Sequence, residues 1–83
     1  MKLTILTPEE EIFTGEIKAI KVPGVVGEFE VLNNHAPMVS LLQAGNVKYT
    51  AEDGKSTTFS IQNGFVEILN NEIALLVQGY TSG

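Results

Sequence analysis

The feature that most constrains this chain is a two-residue alternation of apolar and polar side chains, which recurs along most of its length. Successive side chains of a β-strand point to opposite faces, so each alternating segment predicts a strand with one buried face. Clear examples are residues 27–31, 47–52, 56–62 and 73–78. Turn-forming pairs separate the segments about every 8–12 residues, a spacing typical of antiparallel sandwiches and barrels. These pairs are Thr7-Pro8, Pro23-Gly24, Asn33-Asn34, Asp53-Gly54, Asn63-Gly64 and Asn70-Asn71. The pattern therefore predicts an all-β fold.

The pair Asp53-Gly54 marks a hairpin whose register follows from the alternation. A two-residue loop would turn Phe59 to the outer face. A three-residue loop, residues 52–54 with Gly54 left-handed, instead pairs Val47 with Phe59 on one face. A one-residue slip moves every side chain to the opposite face, and we therefore expect the three-residue loop.

The pair Asn70-Asn71 predicts a second hairpin with a two-residue turn, because Asn tolerates the positive φ that such a turn needs. That register puts Phe65 opposite Leu76 on the face away from the core. An apolar pair is unexpected on a solvated face. Two explanations stay open at this point. Either the strand crosses a corner of the sandwich or is covered by the N-terminal strand, or the pair belongs to a protein-binding surface.

Length and composition restrict what the chain can do. With 83 residues and no cysteine it has room for one domain, held by neither a disulfide nor a thiolate zinc site. We place that domain at residues 1–78 and expect residues 79–83 to be a short tail. The net charge of −5, with Lys as the only strongly basic residue type, argues against nucleic-acid binding. Nothing resembles a signal peptide or a membrane span, and we expect a soluble protein.

No arrangement of residues indicates catalysis. His35 is the only histidine, too few for a typical zinc site, and no nucleophile–base pair is evident beside it. Glu28 and Glu30 are spaced like a glycosidase pair, but the chain has no tryptophan on which a sugar could stack. Residues 23–27 lack the lysine of a phosphate-binding loop. Their two adjacent valines indicate either a turn folded onto the core or a docking tip. We expect no catalytic, cofactor-binding or metal-binding residue.

Three motifs, in this order, resemble the epsilon subunit of the F-type ATP synthase. They are the strand at residues 16–24 ending in Pro-Gly, then Gly27-Glu28-Phe29, then His35-Ala36-Pro37-Met38-Val39. The resemblance continues through Phe13-Thr14-Gly15, Ala44-Gly45 and Asn63-Gly64-Phe65-Val66-Glu67, and it covers about residues 3–78. The ordered set is more specific than any single motif. Glu30, Asn33-Asn34 and the end of the last strand depart from the family pattern.

The resemblance implies a flattened antiparallel β-sandwich of about ten short strands in two sheets. It also implies a non-enzymatic rotor subunit of the central stalk. Such a subunit contacts the γ subunit and the c-ring, reaches the catalytic head indirectly, and couples ion-driven rotation to that head. The coupling ion, proton or sodium, is left open. The implied location is peripheral, at the cytoplasmic face of the bacterial inner membrane.

By position, the resemblance implies interface roles for two groups of residues. The c-ring-facing group is Val25, Val26, Gly27 and Glu28. The group facing γ or the c-ring is His35, Ala36, Pro37 and Met38. Phe65 and Leu76 are possible γ contacts, which we infer from their pairing and not from a family motif. An apolar tip, rigid turns and acidic groups suit a mechanical coupler.

Relatives of this kind commonly continue into a two-helix hairpin that binds ATP or restrains rotation. Residues 79–83 alone follow the last predicted strand, and they carry no amphipathic repeat. We therefore expect the chain to lack both functions of that hairpin. The alternative from another class is a small β-sandwich module that binds carbohydrate or peptide. Such a module would need an aromatic platform or a pocket.

Overall fold

The computed structural model describes residues 1–82, and β-strands account for most of them. The strands are β1 (Lys2–Leu6), β2 (Glu11–Gly24), β3 (Gly27–Leu32), β4 (Met38–Leu42), β5 (Gly45–Ala51), β6 (Ser56–Ile61), β7 (Asn63–Leu69), β8 (Glu72–Gln78) and β9 (Thr81–Ser82). The described part of the chain holds no helix with the length and hydrophobicity that crossing a membrane requires. The predicted all-β class is confirmed.

The strands form two packed layers that are joined by β2. One layer has the order β2–β1–β8–β7–β4 and uses the first half of β2. The other has the order β3–β2–β5–β6–β9 and uses the second half. Because β2 is 14 residues long and belongs to both layers, the nine strands of residues 1–82 supply two five-stranded sheets. The predicted two-sheet sandwich is confirmed. The two sheets contain ten strand positions in total, as predicted, because β2 occupies one position in each sheet.

A β-bulge keeps the apolar side chains of β2 on the core as the strand passes between the layers. Ile17 pairs with Ala51, whereas Ala19, two residues later, pairs with Thr50. The extra residue on β2 shifts the alternation by one position. As a result, Ile17 and Ile20 are both buried.

One pairing differs from the predicted antiparallel arrangement. β1 runs parallel to β8, with Leu3 beside Ile73 and Ile5 beside Leu75. A parallel pair cannot be closed by a hairpin, so no turn signal in the sequence announces it. Packing decides it, because the pairing puts Leu3 and Ile5 in the core with no exposed surface.

Both predicted hairpin registers are confirmed. Val47 pairs with Phe59 across the three-residue loop, and Gly54 has a φ of 91°. The second hairpin has its two-residue turn, with φ of 53° at Asn70 and 61° at Asn71. In both hairpins the turn residues carry the positive φ values, which leaves the flanking strands in the register that buries their apolar faces.

The core lies between the layers and is wholly apolar, with no buried polar or charged side chain among the described residues. Its members are Met1, Leu3, Ile5, Ile17, Ile20, Val22, Val31, Leu42, Val47, Tyr49, Phe59, Ile61, Val66, Ile68, Ile73, Leu75 and Val77. Neither a disulfide nor a buried ion pair supports this core within residues 1–82, and close packing of apolar side chains is what stabilises it.

The described part of the segment expected to be a tail, residues 79–82, returns to the second layer. Thr81 and Ser82 pair with β6. The Tyr80 ring lies on Phe59, with 4.9 Å between the ring centroids. Gly83 lies outside the described residues. The domain boundary at residue 78 stays a prediction.

Candidate interaction surfaces

The tip between β2 and β3 presents two valines to solvent. Val26 is 94% exposed and Val25 is 51% exposed. Valine is strongly disfavoured at positive φ, and the turn places its positive φ, 134°, at Gly27 instead. An added Cβ on Gly27 would meet nothing within 4 Å, so the backbone conformation and not crowding calls for glycine. The valines are exposed, so this turn is not folded onto the core, and docking of the tip on a partner stays a prediction.

Glu28 follows this tip on β3, opposite Pro23 of β2. The side chains of Glu28 and Glu30 are both exposed on the outer face of the second layer. Within residues 1–82 neither carboxylate is joined to a cation in a salt bridge. The tip therefore combines an apolar end with a free carboxylate, a combination suited to a partner surface with mixed apolar and basic groups.

The segment from His35 to Met38 lies at the opposite end of β3. Its conformation is fixed by hydrogen bonds: the His35 N–H donates to the Leu32 carbonyl at 3.1 Å, and His35 Nδ1 lies 2.7 Å from the Ala36 carbonyl oxygen. Since a carbonyl oxygen accepts only, Nδ1 carries the proton in this contact. The side chain of His35 thus holds its own loop in place through this hydrogen bond.

The two predicted interface segments are separated by the length of β3. That strand has six residues, and at about 3.3 Å per residue they span roughly 20 Å. The tip at residues 25–28 and the loop at residues 35–38 therefore lie at opposite ends of β3, and Met38 lies three residues before Leu41 on β4, which is bonded to the tip. The structure does not bring these two groups together.

Four apolar side chains stand next to one another across the outer face of the first layer. Leu41 of β4 is beside Phe65 of β7, and Phe65 is beside Leu76 of β8. Leu6 of β1 is on the other side of Leu76. Leu41 is 64% exposed and Leu76 is 42% exposed, so β1 flanks the Phe65–Leu76 pair and does not cover it. We call Leu41, Phe65, Leu76 and Leu6 the apolar row.

The apolar row is connected to the tip. The Val25 N–H donates to the Leu41 carbonyl at 3.0 Å, which holds the tip against the end of β4. A shallow groove of about 270 Å³ lies beside Leu6, Phe65 and Leu76. A contiguous exposed apolar surface of this kind is typical of a protein-interaction site.

Sequence reasoning found Phe65 and Leu76 but missed Leu41 and its neighbour Val39, which is 61% exposed. β4 carries apolar side chains on both faces, because Leu42 is buried while Val39 and Leu41 point outward. In the sequence, β4 has apolar residues at both odd and even positions, so alternation does not tell which face is buried. The pairing of β4 with β7 shows that the odd-numbered positions face outward.

No group of three or more His, Asp or Glu side chains in the described part of the chain is placed to hold a metal ion. The groove beside the apolar row is smaller than the ~300–1,000 Å³ of most small-molecule sites. Phe65 is its one aromatic lining residue. This groove is therefore better suited to contact with another protein than to enclosing a small molecule.

Comparison with known proteins agrees with the fold. The family model for the ATP synthase delta/epsilon chain, beta-sandwich domain, matches residues 1–83. The chain is 40% identical over 79 residues to the ATP synthase epsilon chain of Helicobacter pylori strain P12, which covers 95% of this chain and 63% of that protein. It is also 40% identical over 76 residues to the ATP synthase epsilon chain of Chlorobaculum tepidum, covering 92% and 86% of the two chains. The chain thus spans less than two thirds of the length of the Helicobacter relative.

Solved structures give the same result. A chain in the cryo-EM structure of the Euglena gracilis mitochondrial ATP synthase (OSCP/F1/c-ring) superposes with a TM-score of 0.90 at 26% identity, covering 96% of this chain and 51% of that one. A chain in the central stalk/c-ring structure of the Tetrahymena thermophila mitochondrial ATP synthase shares the fold, with a TM-score of 0.83 at 17% identity. With the family model, the relatives and the fold in agreement, the chain belongs to the ATP synthase delta/epsilon chain β-sandwich family.

Proposed function

We propose that this chain is a non-catalytic central-stalk subunit of a proton- or sodium-driven F-type ATP synthase, and that it couples rotation of the c-ring to γ and the catalytic head. The observation that carries the proposal is the exposed apolar row, continuous with the tip, on a domain of the epsilon family. A rotor subunit must bind its neighbours tightly enough to transmit torque. A broad apolar contact provides that affinity, and charged residues at the rim of the interface fix the relative orientation of the partners.

In this proposal γ lies on the outer face of the first layer, against Phe65 and Leu76, and the loop at residues 35–38 meets γ or the ring. Side chains that become fully desolvated at the centre of an interface contribute most to its affinity. The exposed fraction of Leu76, 42%, is surface that a partner would bury. The subunit is then peripheral to the membrane, at the cytoplasmic face in a bacterium, because its partners hold it there.

The γ contact is tested by affinity purification of a tagged chain from native membranes. We expect γ, the c-ring and the head subunits to co-purify with the wild type. We expect the double variant Phe65→Ser/Leu76→Ser to lose them while it keeps its fold, because both side chains lie on the outer face. Leu32→Ser is the matched control, since Leu32 is 53% exposed but lies on β3 in the other layer. Absence of γ from the wild-type eluate would rule out the rotor assignment.

The c-ring contact is proposed for Val25, Val26, Gly27 and Glu28. The chain has no cysteine, so Glu28→Cys provides a single cross-linking position. Paired with a cysteine in the polar loop of the c-subunit, it is expected to form a disulfide under mild oxidation. Glu52→Cys is the control, because Glu52 lies in the β5–β6 turn, at the other end of β5 from the tip. Equal cross-linking from both positions, or none from Glu28→Cys, contradicts the proposed contact.

A further inference from the structure

The two layers leave different edge strands open, and the hydrogen-bond pattern shows which backbone groups are free. On β3, Gly27 pairs with Gly24 next to the two-residue tip, so alternate residues of β3 from Gly27 onward bond to β2. The N–H and C=O groups of Glu28 and Glu30 therefore point away from the sheet. Their side chains are exposed on the outer face beside this edge.

On β4, the backbone groups that point away from β7 belong to Val39 and Leu41, and of these the Leu41 carbonyl is already hydrogen-bonded within the chain. The Leu41 carbonyl accepts the N–H of Val25, which shows that this residue directs its backbone groups away from β7. By alternation Val39 does the same, while Ser40 bonds to β7 opposite Val66. β2 pairs with this edge only at Leu42. Apart from the Val25 hydrogen bond, no part of residues 1–82 pairs with the edge from Met38 to Leu41.

The two edges differ in how they are protected. Proteins commonly prevent unwanted strand pairing by placing charged residues or proline on an exposed edge. The β3 edge follows this practice with Glu28 and Glu30. The β4 edge carries Val39 and Leu41 instead, 61% and 64% exposed, with no charge and no proline within the strand. An apolar, uncharged edge with free backbone groups is suited to receive a further strand.

We propose that the β4 edge is a strand-pairing site, and that a β-strand of the γ-type central-stalk partner adds to it and extends the first layer. The proposal rests on the proposed function, because it names how γ would hold the surface described above. The incoming strand is extended and apolar at alternate positions, so that its outward side chains continue the apolar row beyond Leu41. The incoming strand ends beside Leu41, because the Leu41 carbonyl already accepts the Val25 N–H. This end point fixes the register of the incoming strand relative to the tip.

The test uses the whole chain with co-expressed γ and two variants at one position. Val39→Pro removes the outward N–H, and a proline is tolerated on an edge strand when its missing N–H faces away from the ladder. Val39→Thr keeps that N–H and nearly the same shape. We expect Val39→Pro to weaken binding to γ by about tenfold or more and Val39→Thr to change it by about twofold or less.

A measurement on the unmodified chain complements the variants. Backbone amide exchange followed by NMR should show the Val39 amide exchanging fast in the free chain and becoming about 100-fold or more slower in the complex. The Ser40 amide, already bonded to β7, is the internal control and should be slow in both states.

The outcomes separate the two levels of the proposal. If γ does not bind the wild-type chain at all, the rotor function fails and strand pairing fails with it. If γ binds but the Val39 amide stays fast, or if Val39→Pro binds as well as Val39→Thr, then strand addition is wrong while the rotor function stands. Slowing of the Val39 amide on binding supports strand addition even if Val39→Pro fails to fold.

Discussion

The turn at Asn70-Asn71 allows side-chain hydrogen bonding to be separated from backbone conformation. Both residues have positive φ, 53° and 61°. Of the two side chains, only that of Asn71 is hydrogen-bonded within residues 1–82: Oδ1 accepts the N–H of Asn34 at 2.8 Å, and Nδ2 donates to Asn33 Oδ1 at 3.1 Å. Asn71 therefore ties the β7–β8 turn to the segment that leads into His35.

The perturbation is Asn71→Gly, with Asn70→Gly as its control. Glycine adopts positive φ at either position without strain, which favours the folded state, but it loses more conformational entropy on folding than asparagine does. Because these two effects oppose each other, we expect the stability of Asn70→Gly to stay within about 0.5 kcal/mol of the wild type. Asn71→Gly also removes two hydrogen bonds, each worth about 0.5–1.5 kcal/mol. We expect it to lower the free energy of unfolding by about 1–3 kcal/mol. For a domain of this size each kcal/mol lowers Tm by about 4–8 °C.

Urea unfolding monitored by far-UV circular dichroism measures both free energies, and amide exchange at Asn34 reports the local effect. Asn71→Gly should speed exchange of the Asn34 amide, which loses its acceptor, while Asn70→Gly leaves it unchanged. Equal losses of stability in the two variants, or a slow Asn34 amide in Asn71→Gly, would refute the assignment of stabilising hydrogen bonds to Asn71.

Three further changes test other parts of the structure. Gly27→Ala should lower stability by about 1–3 kcal/mol in urea unfolding, because φ is 134° there, although an added Cβ meets nothing within 4 Å; an unchanged midpoint would contradict this conformation of the tip. Leu75→Ala, at a fully buried side chain, should cost about 2–5 kcal/mol by the same assay, and a loss under about 1 kcal/mol would place Leu75 outside the core. Thr7→Ala should cost about 0.5–1.5 kcal/mol, because the Thr7 hydroxyl accepts the N–H of Glu10 at 3.1 Å; Thr7→Ser, which keeps that oxygen, should restore most of the loss in thermal unfolding.

Local patterns predicted the elements that depend on neighbouring residues. Both hairpin registers followed from the alternation and from turn residues that tolerate positive φ, as at Gly54 and Asn71. Each hairpin closes over a few residues, so the sequence holds all the information that sets its register. The exposed pair Phe65–Leu76 was found in the same way, by following one register to its outer face.

Features that depend on distant contacts were not accessible in this way. The parallel pairing of β1 with β8 joins segments about 70 residues apart, and nothing local marks it. The bulge at residues 17–19 shifts the phase of β2 because that strand serves both layers. The outward orientation of Val39 and Leu41 was also not predictable, because both faces of β4 carry apolar residues and alternation cannot tell them apart.

The sequence by itself determined the all-β class, the two hairpins and, through its ordered motifs, the family, because these depend on alternation, turn chemistry and residues close together in the chain. The tertiary structure decided where the surfaces lie: it put the tip and the His35 loop at opposite ends of β3, and it assembled the apolar row from four strands. A surface of this kind exists only when strands distant in sequence become neighbours. Which side of β4 is buried, and which edge stays open, follow from that packing and not from any local preference.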